Sequence, residues 1–378
     1  MKLAALPGEP HLSYCTNIHA GESWAEVHEV VRTKVPAVKA RVCPNAQFGV
    51  GLRLSARAAD ELETADNLAT FQETLTSQGL YVFTINGFPY GSFHGTRVKE
   101  NVYLPDWRTS ERAKYTLSLA RLLAGLLPDD VRGGSVSTLP LGFRAKDEGM
   151  ASSLCSLARS LSVLRKESGK TITIALEPEP ECMLETAEDA VKYFEEHIFR
   201  HARREERLIR THLGVCLDAC HEAVLFQEAR ESVARLERAG IAIAKIQLSC
   251  GLEARGRAPR AELERFAEDT YLHQCVVKRG SGAIERYLDL PDALRQDFDE
   301  DAMLRSHVHV PIFKESLGLL KGTQPFLREL LAVVRDRSVT EHLEVETYTW
   351  DVLPREHRMP SVIDDIAREL EWVKAVLA

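Results

Sequence analysis

Nowhere in the 378 residues does an apolar run approach the roughly 18 residues that a bilayer crossing needs, so no membrane span is expected. The opening Met1 to Leu6 begins as a secretion signal does, but Pro7 and Glu9 interrupt its short apolar stretch, and a cytoplasmic location is the expectation. No block of consecutive Lys and Arg exceeds a few residues, and the formal net charge is −8, so no nucleic-acid partner is expected. The eight cysteines include no C-x-x-C pair, which argues against a zinc knuckle or redox dithiol and for reduced, buried thiols. The first strand-like segment lacks a following G-x-G-x-x-G, and no nucleotide cofactor is expected. What the chain does have is 44% hydrophobic residues, enough for a sizeable core.

Those residues fall into eight short apolar runs: Leu12 to His19, Phe48 to Leu54, Leu80 to Asn86, Gly134 to Leu139, Thr171 to Glu177, Leu213 to Asp218, Ile241 to Ser249 and His342 to Trp350. Segments of helical period alternate with them, among them Ser23 to Val35, Ser110 to Leu127, Glu222 to Ala239 and Ser361 to Leu377. Eight βα units in one uninterrupted chain predict a (β/α)₈ TIM barrel spanning residues 1–378 as a single domain. An insertion over 252–303, with a helix and a small hairpin around Gly280 to Gly282, separates the seventh and eighth strands. A second irregular stretch, from Phe88 to Trp107, is rich in aromatics, Gly and Pro, and a loop of that length in a compact domain is usually functional.

In such a barrel the reactive groups gather at the C-terminal ends of the strands. Glu177, Asp218, Gln247 and Glu346 end the fifth to eighth strands, which are neighbours. One carboxylate after a strand is commonly a helix cap. Three converging carboxylates repel one another and call for raised pKa values or a cation, so a divalent metal held by these four residues is the reading. His221, His307 and His309 form a second set; the last two stand two apart in an extended segment and project to one face. Three imidazoles suit Zn, whereas the carboxylate-rich set also suits Mn or Mg.

The segments I-A-L-E-P (Ile174 to Pro178), C-L-D-A-C-H (Cys216 to His221) and L-E-V-E-T (Leu343 to Thr347) resemble the motifs of the xylose isomerase-like barrel superfamily. More narrowly, Y-C-T-N-I-H-A-G-E-S-W, G-F-P-Y-G-S-F-H-G and H-L-E-V-E-T-Y-T-W-D-V-L-P are similar to the EboE family of metabolite traffic proteins. The superfamily resemblance implies the same four metal ligands, Glu177, Asp218, Gln247 and Glu346, and a second ion at His221, His307 and His309. Gln247 stands where a charged or imidazole ligand is usual. Asn86 and Thr138 stand where the histidines for a third metal would be expected in endonuclease IV relatives, so a trinuclear nuclease site is not expected. Glu179 replaces the Lys of true xylose isomerases, whose hydride-shift machinery is therefore not intact.

The leading expectation is a metal-dependent isomerase or epimerase of a sugar, sugar phosphate or cyclitol-like polyol. Glu177 and Glu346 would transfer a proton through an enediolate. His19, Arg53, Asn86, His94, Arg144 and Glu179 are the candidates for holding substrate. The alternatives are a two-metal phosphoester hydrolase of the endonuclease IV type and a non-catalytic metabolite-binding protein, for which the neutral Gln247 is the clue. Expected partners are a small polyhydroxylated metabolite and proteins of the same pathway.

Overall fold

A computed structural model describes the whole chain except the side chain of Asp351. Eight parallel strands form its central sheet: β1 His11–Tyr14, β2 Phe48–Arg53, β3 Leu80–Asn86, β4 Gly133–Thr138, β5 Thr171–Leu176, β6 Leu213–Asp218, β7 Ala242–Leu248 and β8 His342–Val345. The ladder runs from β2 in sequence order to β7, then to β8 and β1. Between β1 and β2 the ring closes through a parallel bridge from Cys15 to Gly51 and through Ser13 Oγ, which donates to Gly49 O (2.7 Å) and accepts from Gly51 N (3.0 Å). Helices cover the outside, as expected for strands buried on both faces. The fold is the (β/α)₈ barrel that the alternation predicts.

Local chemistry sets the helix starts. Ser23 and Glu26 form a reciprocal capping box at the head of Trp24–Val42, Thr186 and Asp189 do the same for Ala187–Tyr193, and Ser55 caps Ala56–Leu62. Three expectations need correction. The helix expected from Glu222 to Ala239 is two, Ala219–Val224 and Ala229–Arg238; the eighth strand stops at Val345 and turns into a 3-10 helix instead of running to Trp350; and Asn17 lies in a 3-10 turn after β1. Each early stop puts a polar side chain on a turn above the barrel mouth.

The barrel interior is unusually polar for a packed core. Lys245 Nζ lies 2.5 Å from Glu344 Oε2, both side chains fully buried, as an ion pair without an aligned hydrogen bond. Gly51 makes room for it: a Cβ there would sit 1.8 Å from Glu344 Oε1 and 2.7 Å from Tyr14 O. Between β7 and β8 a second, antiparallel sheet of six short strands runs from Leu252 to Gly322. Its hairpin, Cys275–Lys278 with Ile284–Tyr287, turns where the sequence places it. Backbone bonds from Val310 N to Cys250 O and from Thr323 N to Gly251 O tie this sheet to the C-terminal end of β7, so it roofs the barrel mouth.

Candidate metal centre

The ends of β5, β6, β7 and β8 bring Glu177, Asp218, Gln247 and Glu346 to one place. Asp218 and Gln247 are paired across the ladder, and ligand oxygens of Glu177, Asp218 and Glu346 lie within 4.8 Å of one another. Asp218 caps the helix that follows it: Oδ1 accepts from His221 N (2.9 Å) and from Ser249 Oγ (2.8 Å). Glu346 Oε1 accepts from Asn17 Nδ2 (2.7 Å) and Asn86 Nδ2 (2.9 Å). In contrast, Glu177 Oε2, Asp218 Oδ2 and both amide atoms of Gln247 are buried without a protein partner. Burial, reinforced by the charges of Glu346 and Asp218, pushes the Glu177 carboxyl well above its usual range. Burial and Asp218 raise Glu346 to about 8. Buried, mutually repelling oxygens with unused lone pairs are a donor set that a cation would satisfy.

The three histidines make the sharper case. His221 Nδ1 lies 2.9 Å from Pro178 O and His309 Nδ1 lies 2.7 Å from Glu346 O; a carbonyl only accepts, so both Nδ1 atoms carry the proton. His307 Nδ1 is 2.8 Å from Gln274 Oε1, an orientation set by Gln274 Nε2 donating to Pro180 O (3.2 Å). Burial pulls the pKa of His307 far down and that of His309 to about 4, keeping both rings neutral. In these two neutral rings, protonated at Nδ1, Nε2 is a bare lone pair. Yet His221 Nε2 and His307 Nε2 are 3.1 Å apart, and His307 Nε2 and His309 Nε2 are 3.2 Å apart. Neither His307 nor His309 can donate to the other, and such a convergence fits a metal with tetrahedral preference. Asp218 reaches this set too, its ligand oxygen within 4.8 Å of His221 and His309 nitrogens. The two donor sets therefore share Asp218.

Glu177, Glu346, His221 and His307 floor a cavity of about 60 Å³, and Asp218, Gln247 and His309 are not among the residues that line it. Asn86 and Glu179 line it; Glu179 accepts from Tyr103 OH (2.7 Å) and Gln274 Nε2 (3.2 Å), and burial raises its pKa. The other substrate-binding candidates are not brought to the cavity wall. Arg53 is spent on Gly21 O, Glu22 and Gly91 O, because it braces the turn beneath the 88–107 loop. Arg144 pairs with Glu181, and His19 bonds Tyr14 OH (3.1 Å). His94 supports the floor from behind: Nε2 lies 2.5 Å from Asn17 O, and Nδ1 lies 3.2 Å from Tyr271 OH.

Sequence reasoning missed several participants. Asn17 ends the first strand segment as the carboxylates end theirs, so the same logic reaches it. Gln274 and Tyr103 lie in irregular segments with no periodic signal. Only the fold of the roof puts them beside His307 and Glu179.

No protein-family model matches the chain, and no curated protein sequence matches it significantly. Among solved structures it resembles a xylose isomerase-like TIM barrel protein from Mycobacterium smegmatis in complex with magnesium, over 100% of this chain and 98% of that one, with a TM-score of 0.54 and 11% identity. A xylose isomerase domain protein from Planctomyces limnophilus matches with a TM-score of 0.50 and 12% identity, over 97% and 96% of the two chains. D-allulose 3-epimerase from Methylomonas sp., in complex with D-allulose, matches with a TM-score of 0.50 and 11% identity over 98% of each. At these identities the likeness establishes the fold alone, a (β/α)₈ TIM barrel.

Proposed function

We propose that the chain is a metal-dependent isomerase or epimerase of a polyhydroxylated metabolite, working as one barrel domain with the small sheet as its roof. Glu177, Asp218, Gln247 and Glu346 would hold one divalent ion, and His221, His307 and His309, sharing Asp218, a second. The observation that carries this reading is the convergence of the Nε2 atoms of His221, His307 and His309 and the unpartnered oxygens of Glu177 and Asp218 at a cavity that Glu177, His221 and His307 line. Zn suits the histidine set; Mn or Mg suits the carboxylates.

When bound, a divalent cation would polarise adjacent carbonyl and hydroxyl oxygens and so acidify the C–H of the hydroxyl-bearing carbon next to the carbonyl. The chain's own contribution is proton transfer and orientation. Asn17 and Asn86 fix Glu346 by one oxygen, leaving the other to take the proton from substrate carbon. Glu177, with a ligand oxygen within 4.8 Å of Glu346, returns a proton to the resulting enediolate. A positioned acid or base of this kind contributes about 10²–10⁴-fold. The narrower motif resemblance supports a place for the reaction in a metabolite biosynthesis or traffic pathway.

The test is solvent deuterium incorporation into a panel of hydroxy-ketones and hydroxy-aldehydes by wild type and Glu346→Gln, with metal content measured on both. Exchange that Glu346→Gln leaves unchanged sinks the proton-transfer role. The histidine set also favours a second reading, a two-metal phosphoester hydrolase. Turnover of bis(p-nitrophenyl) phosphate with two metals per chain would select it.

A further inference from the structure

The cavity is most polar at its floor. Above Glu177, Glu346, His221 and His307, the walls are mostly carbon. Phe93, Val98 and Tyr271 pack as an apolar cluster of their own, joined by Val102 and Tyr348. Phe93, Tyr271 and Tyr348 stand in mutual ring contact, with centroids 4.9–5.2 Å apart. Three of the polar groups on these walls are already engaged: Tyr103 OH on Glu179 (2.7 Å), Tyr271 OH on Phe93 O (3.2 Å), and Lys99 Nζ on Asp289 (2.7 Å) and Glu268 O (2.9 Å). Among the described residues lining the cavity, Lys99 is the only Lys or Arg.

A free sugar has hydroxyls all around, and each one buried without a partner costs about 1–3 kcal/mol. The floor can serve a few oxygens: the donor sets just described, and Asn17 Oδ1, which is buried and unpartnered. The walls can serve almost none, and they hold no free cation for a phosphate. Resting on the metal-dependent reading above, we propose that the substrate is amphiphilic. A short hydroxy-carbonyl or polyol head would lie on the floor, and an apolar, unphosphorylated body would pack between the 88–103 loop and Tyr271, Leu272 and Tyr348.

The test uses hydroxamates, which chelate through adjacent oxygens as such a head would, titrated calorimetrically into zinc-loaded and zinc-free protein. Acetohydroxamate probes the floor alone; octanohydroxamate adds six methylenes; phosphoglycolohydroxamate adds a phosphate. The expected result is zinc-dependent binding of acetohydroxamate, octanohydroxamate tighter by about 30-fold or more, and no gain from the phosphate. Val102→Asp, with Val102→Ser as a milder variant at this half-buried position, is expected to erase most of the octyl gain while leaving acetohydroxamate affinity within about threefold. Zinc-dependent acetohydroxamate binding without an octyl gain, or with a tenfold phosphate gain, overturns the inference and leaves the metal reading standing. Absence of zinc-dependent binding by any probe overturns both, because the metal reading itself has then failed.

Discussion

Gln274 is the residue on which the histidine argument can be broken. Its Oε1 is the acceptor at 2.8 Å that holds the proton on His307 Nδ1 and so leaves Nε2 bare toward His221 and His309. Gln274→Leu removes that acceptor and frees the ring to move its proton to Nε2. There it can donate to a neighbouring Nε2 3.1 or 3.2 Å away and close the site with hydrogen bonds in place of a cation. Loss of a partner that orients a metal-bound histidine typically costs about 10–100-fold in affinity, or about 1.4–2.7 kcal/mol. Zinc affinity measured by competition with a chromophoric chelator reads that loss. Nitrogen NMR of the imidazoles in metal-free protein reads the tautomer directly, which a merely destabilising substitution would not move. Wild type is expected to show unprotonated Nε2 atoms on His307 and His309, and Gln274→Leu a proton on His307 Nε2. Zinc affinity within twofold of wild type, or a proton already on Nε2 of His307 in wild type, would refute the reasoning.

Two further substitutions probe the scaffold. Gly51→Ala drives a Cβ into Glu344 and against the backbone of Tyr14, and so forces the Lys245–Glu344 pair apart. Breaking a fully buried pair costs about 3–5 kcal/mol, read by denaturant unfolding. Adding Glu344→Ala and Lys245→Met should recover most of that, and a single-mutant cost below about 1 kcal/mol contradicts the packing argument. Burial raises the Glu369 carboxyl from 4.5 to about 8, against hydrogen bonds from Thr347 Oγ1 (2.7 Å) and Ile312 N (3.2 Å). The folded state then binds the proton that the unfolded chain releases, so this stability is fully present below pH 4.5 and is lost as pH rises toward 8. The loss amounts to at most about 5 kcal/mol. Glu369→Gln should flatten unfolding free energy measured from pH 5 to 9; an unchanged slope removes Glu369 as its cause.

The barrel was legible because its signals are local. Apolar runs such as Leu80 to Asn86 carry strand length and burial together, and caps such as Ser55 stop and start helices through bonds spanning three residues. The strand-end rule then places Glu177, Asp218, Gln247 and Glu346 side by side, because consecutive strands of a barrel are neighbours. The boundaries slipped where a turn replaced a continued pattern, as after Val345, since period alone does not say where pairing ends.

By itself, the order of residues determined the fold class and the ring of polar strand ends, both consequences of short-range periodicity and chain order. Tertiary structure alone decided which nitrogen of each histidine is bare. That depends on Pro178 O, Gln274 Oε1 and Glu346 O, and the last two come from segments 33 and 37 residues away. It also decided that Arg53 and Arg144 turn away from the cavity to bind backbone and carboxylate partners, and that carbon walls rise above the polar floor. Hydrogen-bond partners chosen across the fold, not residue type, set whether a side chain has a lone pair or a charge left to offer.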